Sequence, residues 1–156
     1  MAAPTPPTLH DYLAAKERRP RVIEDCAYLV EDEVKRKGGI SGLAIKAAFA
    51  AVKAVKPGFI PEAIDHLLDD FVRRLEPFFQ SHRQAGGRSL GDHFSGESGA
   101  IAEALLAITD ERAQHAGNAM VKKSYEKLRP TARKHVEEAV PAIGKLIERH
   151  TAQAIS

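Results

Sequence analysis

The sequence contains no tryptophan, and its only aromatic residues are six Phe and three Tyr in 156 positions. Reading a single strand of RNA or DNA takes clustered aromatics on which bases stack, so sequence-specific recognition of that kind is not expected. Cys26 is the single cysteine. It excludes an internal disulfide and fits a reducing compartment, the cytoplasm. No run reaches the roughly 18 apolar residues of a membrane span. The nearest candidate, residues 42–55, is broken by Lys46 and Lys53, so no integral membrane segment is expected. The opening MAAPTPPT lacks the basic and apolar stretches of an export signal. Period-two alternation of apolar and polar residues is missing too, which removes the strand signal.

What is present is helix punctuation on a chain of one domain's length. Thr8 caps a short helix to about residue 17. Pro20 suits a first turn and opens a helix to about residue 37, with Val22, Ile23, Cys26, Leu29, Val30 and Val34 on its apolar face. Ser41 caps a third helix, about 41–56. Pro61 opens a fourth, with Ile64, Leu67, Leu68, Phe71, Val72 and Leu75 on one side, and Pro77 kinks or ends it. Five glycines in residues 85–99 predict a flexible loop at about 85–97. A long helix follows towards Leu128, with a possible break at Gly117-Asn118. Pro130 separates it from a last helix facing inward through Val136, Val140, Ile143, Leu146 and Ile147, with a further kink possible at Pro141. The expected fold is all-α: a single compact bundle of five or six helices over residues 8–153, after a flexible terminus at 1–7.

The third helix is unusual because its only charges are Lys46, Lys53 and Lys56. At about 100° per residue they form a narrow stripe, and the rest of the circumference is apolar or alanine. A helix apolar nearly all round belongs at the centre of its bundle. The competing reading is a membrane-active amphipathic helix.

Charge is distributed unevenly. Residues 1–111 carry 14 Lys/Arg against 17 Asp/Glu, a balance of −3, and residues 112–156 carry nine against four, a balance of +5. Lys122, Lys123, Lys127 and Arg129 lie on one side of the fifth helix, and Arg133 and Lys134 follow Pro130. Free N–H groups at a helix start beside these cations would hold a phosphate or carboxylate. The alternative is a solvated face in which Arg133 pairs with Glu137 and Lys134 with Glu138, four residues on. Glu62, His66 and Asp70, and Glu111 and His115, recur at helical spacing without the Glu-x-x-His signature of di-iron bundles. Gly96-Glu97-Ser98-Gly99-Ala100 lacks the strand and final glycine of a nucleophile elbow, so Ser98 reads as a helix cap with Glu97 beside it. No catalytic residue, metal site or cofactor is assigned.

Five segments carry a resemblance. Arg19-Pro20 with its helix, residues 42–57 (GLAIKAAFAAVKAVKP), 104–112 (ALLAITDER), 121–129 (VKKSYEKLR) and 136–144 (VEEAVPAIG) are similar to an uncharacterised family of small bacterial all-helical proteins, known only as a domain of unknown function. The resemblance spans about residues 9–150. It implies a bacterial cytoplasmic protein and brings no activity with it.

The first functional expectation is a non-enzymatic binding or scaffold module whose basic face (Lys122, Lys123, Lys127, Arg129, Arg133, Lys134) meets an anionic partner: a protein, nucleic acid or lipid headgroup. The alternative is a peripheral lipid or apolar-ligand binder using the helix at 41–60. An enzyme with an unrecognised site stands third.

Overall fold

Thr8 begins the helical part as its hydroxyl allows. It accepts the Asp11 N–H while the Asp11 carboxylate accepts the Thr8 N–H, a reciprocal cap that opens α1 (Leu9–Leu13). The computed structural model describes residues 5–153, without the side chains of Val121 and Ser124; residues 1–4 of the expected flexible terminus lie outside that range. The remaining helices are α2 (Arg19–Arg36), α3 (Gly39–Val55), α4 (Phe59–Ala85), α5 (Leu90–Gly96), α6 (Ser98–Gln114) and α7 (Ala119–Thr151). The fold is all-α, with no strand among the described residues. Seven helices lie among the described residues where five or six were expected.

Two of the differences come from proline. α4 runs through Pro77, and α7 runs through both Pro130 and Pro141. Each proline deletes one helical N–H. Pro77 and Pro130 are exposed, and so are Arg73 and Glu126, whose carbonyls lose that partner, so solvent can satisfy them. The break falls at residues 115–118, at the interruption expected at Gly117-Asn118, and Asn118 caps α7 by accepting the Met120 N–H at 2.8 Å.

The expected loop at 85–97 is likewise mostly helix. Ser89 caps α5 by accepting the Asp92 N–H at 3.1 Å, and Leu90, Gly91 and Phe94 are buried. Gly91 and Gly144 let α5 and α7 touch backbone to backbone. A Cβ on Gly144 would stand 3.0 Å from both the Gly91 Cα and the Phe94 Cβ. The loop shrinks to residues 86–89, where Gly86 and Gly87 have φ of 62° and 82°.

At 1.5 Å per residue, α4 and α7 are about 40 and 50 Å long, and they form the frame. α1, α2 and α6 pack on α4, and α5 and α6 pack on α7. Between them lies a core that includes Leu9, Val22, Leu68, Val72, Phe94, Ile101, Val140 and Ile147.

The alanine-rich helix expected at the centre lies at the edge. α3 packs mainly on the flanks of α2 and α4, and Gly42 is its one buried residue. Ile40 is 89% exposed, Val55 86% and Leu43 67%. Its lysine stripe faces the body of the protein: Lys53 pairs with Glu31 of α2, and Lys56 with Glu62 of α4 at 3.0 Å. Two physical reasons account for the correction. Alanine buries little area, so the larger Leu, Val, Ile and Phe side chains of α4 and α7 take the interior positions. The lysines then find carboxylates on α2 and α4, and that pairing turns the apolar face outward.

Candidate functional site

The inward faces of α2, α4, α6 and α7 do not close completely on one another. They leave between them a partly open apolar cavity of about 360 Å³, which Leu13 of α1 and Ile45 of α3 also border. Its wall is aliphatic and aromatic except at Cys26, Glu33, Lys37, Thr109 and His135. Most of the apolar lining comes from the stripes that periodicity identifies on α2, α4 and α7. What periodicity does not reveal is that these stripes leave space between them.

A polar cluster built around Lys37, just past the end of α2, lies beside the cavity, with its polar atoms turned away from the apolar wall. The Lys37 ammonium is 3.2 Å from Glu33 and 3.2 Å from Glu138 of α7, and the side chain is 9% exposed. The lysine holds the Glu138 carboxyl below its ordinary range, against a smaller opposing effect of desolvation. His135 stands one helical turn before Glu138. Its side chain is 11% exposed, and its Nδ1 lies 3.7 Å from the Glu138 carboxylate, beyond hydrogen-bonding distance. Neither ring nitrogen has a hydrogen-bond partner among the described residues. Thr109 is engaged elsewhere, on the Leu106 carbonyl and the Tyr125 hydroxyl. Burial, and secondarily the Asp25 charge, pushes the Cys26 thiol up to about 11, which makes it a poor nucleophile at neutral pH. Sequence reading places Lys37 merely in a last helical turn and passes over His135; nothing in helical spacing marks either as buried.

α3 borders this space through Ile45 and is joined to the body by glycines. Gly39 and Gly58 have φ of 71° and 83°, and a Cβ on either would meet no neighbour within 4 Å. Gly42 is the opposite case. A Cβ there would lie 2.6 Å from the Lys37 carbonyl carbon, so this glycine seats α3 on the end of α2.

The basic face divides in two. Because α7 is continuous through Pro130, no free N–H groups lie beside Arg129, Arg133 and Lys134, and the expected helix-start anion site is absent there. Arg129 donates to Glu103 and Asp110, and Arg133 to Glu103 and Glu137. Arg129 holds the Asp110 carboxyl below its usual range, opposed by desolvation and assisted by the Tyr125 hydroxyl. These arginines tie α6 to α7. The Arg133–Glu137 pair of the solvated-face reading forms, whereas Glu138 is engaged by Lys37. Lys122, Lys123, Lys127 and Lys134 are exposed. The spaced carboxylates and histidines are also surface groups: Glu62 meets Lys56 and His66, and Asp70 meets Arg112 and Arg73. Ser98 is the first residue of α6.

Residues 9–151 match the family of unknown function DUF6918, and the chain belongs to that family. No curated protein and no solved structure matches it. No helix among the described residues is long and apolar enough to cross a membrane.

Proposed function

We propose that this protein is a non-enzymatic binder of an apolar, chain-like molecule, held between α2, α4, α6 and α7 with α3 as a movable side wall. The observation that carries the reading is the cavity of about 360 Å³ with its almost wholly apolar wall. An apolar cavity of about 150 Å³ is already enough to take up benzene, and ligand pockets begin near 300 Å³. The glycines at both ends of α3 and its slight burial supply a wall that can swing without disturbing the frame. A single cysteine suits a reducing compartment, so the reading is of a cytoplasmic carrier or sensor.

The anionic-partner reading rests on Lys122, Lys123, Lys127 and Lys134 alone once Arg129 and Arg133 are engaged in ion pairs. Exposed lysines of this kind are ordinary solvated residues, and we rank that reading second.

Ala139 is 9% exposed and borders the cavity. Ala139→Phe should fill the space, leave the melting temperature unchanged or raised, and weaken binding of diphenylhexatriene at least about tenfold. Fluorescence titration checks this. Equal dye affinity in the variant and the parent would refute the cavity as the binding site.

A further inference from the structure

α3 turns one face to solvent. Near its start that face carries Ile40 and Leu43, and at its end Val55, all largely exposed. Between them it is alanine: Ala44, Ala47, Ala48 and Ala51 are exposed as well. We propose that two copies of this chain pair through this face, with their α3 helices antiparallel about a two-fold axis beside Ala47 and Ala48.

Charge decides the kind of partner. At about 100° per residue, the outward arc from Leu43 to Ala48 spans roughly 140° and holds only apolar residues. The lysines lie off it. Lys53 and Lys56 meet Glu31 and Glu62 of the body, and Lys46 lines the groove between α3 and α2 with Phe49. An acidic or basic protein would find nothing to recognise on such a face. A helix that lies on lipid presents cations along its edge to the headgroups, and here two of the three are turned to carboxylates. A second copy brings the same uncharged face by necessity.

The order of the side chains fits a two-fold axis. Counted outward from the point between Ala47 and Ala48, Ile40 and Val55 stand equally far out, as do Leu43 and Val52, and Ala44 and Ala51. In an antiparallel pair, Ile40 of each copy therefore meets Val55 of the other, and alanine meets alanine at the axis. Alanine lets two helices approach to about 8 Å where they cross, and the larger side chains fill the space where they diverge. With α3 about 25 Å long, the contact covers on the order of 1,000 Å² in total, the lower limit of a specific interface. The dimer is therefore reversible: the face is open in the single chain and covered in the pair.

Sedimentation velocity of the full-length protein between about 1 and 500 μM tests the proposal. We expect a monomer–dimer equilibrium within that range. Ile40→Glu and Val55→Lys should each raise the dissociation constant at least about tenfold. The melting temperature should stay that of the parent, because both positions are exposed and each new charge suits its end of the helix dipole. The double variant should recover most of the affinity, since the new carboxylate of one copy faces the new ammonium of the other. Within one chain the two positions lie about 22 Å apart, too far to pair. A parent that stays monomeric throughout overturns the proposal, and its flotation with phosphatidylcholine vesicles would then assign the face to a lipid surface. A dimer indifferent to both single variants places the contact elsewhere and overturns it too. So does a double variant no tighter than the singles, which removes the antiparallel pairing. The cavity reading is tested separately by dye binding and does not depend on these outcomes.

Discussion

Asp110 shows how single residues hold the outer part of this bundle. Its carboxylate accepts from the Arg129 guanidinium at 2.9 and 3.1 Å and from the Tyr125 hydroxyl, so α6 and the first half of α7 are joined by one side chain. The arginine is the main reason that its carboxyl titrates below the ordinary range. A carboxyl depressed on folding contributes stability above its unfolded-state value, near 3.9, and loses that contribution as pH falls through the folded value. Asp110→Asn should therefore cost roughly 1 kcal/mol near neutrality, a figure reduced for the partial exposure of both partners. It should also flatten the loss of stability below about pH 4. Urea denaturation at pH 7 and pH 3 checks this. An unchanged difference between the two pH values would show that Asp110 is not linked to folding.

At the scale of the element, close packing decides what periodicity leaves open. Gly144→Leu should drive a side chain into Gly91 and Phe94, separate α5 from α7, and cost about 1–3 kcal/mol. Limited proteolysis should then extend from residues 86–89 into α5; a cleavage pattern like the parent's would mean that the helix contact is not needed. The same contact explains an error in reading the sequence. Glycines in 85–99 signal a loop, but Gly91 is there so that two backbones can meet. The apolar stripes of α2, α4 and the second half of α7 are legible because branched side chains recur at helical spacing. α3 is not, because alanine satisfies an interior and a surface almost equally, and only the positions of Glu31 and Glu62 in space decide which way its lysines turn. Proline misleads for a related reason: its cost depends on whether the orphaned carbonyl reaches water, and a sequence does not show that. Of the site, the apolar lining is legible, while the burial of Lys37 and His135 depends on the packing of α2 against α7.

For the whole molecule, two features without local explanation fit together. The bundle keeps a partly open apolar cavity of about 360 Å³, and the helix that borders it through Ile45 presents Ile40, Leu43 and Val55 to solvent. A wall that is apolar on its outer side can stay in contact with an apolar guest, or with the surface that delivers it, while turning on its glycines. The alternative is that apolar molecules merely adsorb to that exposed face. Methyl-resolved NMR during titration with diphenylhexatriene separates the two most directly. The account requires the earliest and largest shifts at Leu106, Val136 and Ile143, which border the cavity. Shifts confined to Ile40, Leu43 and Val55, with those interior methyls unmoved at saturation, would contradict it.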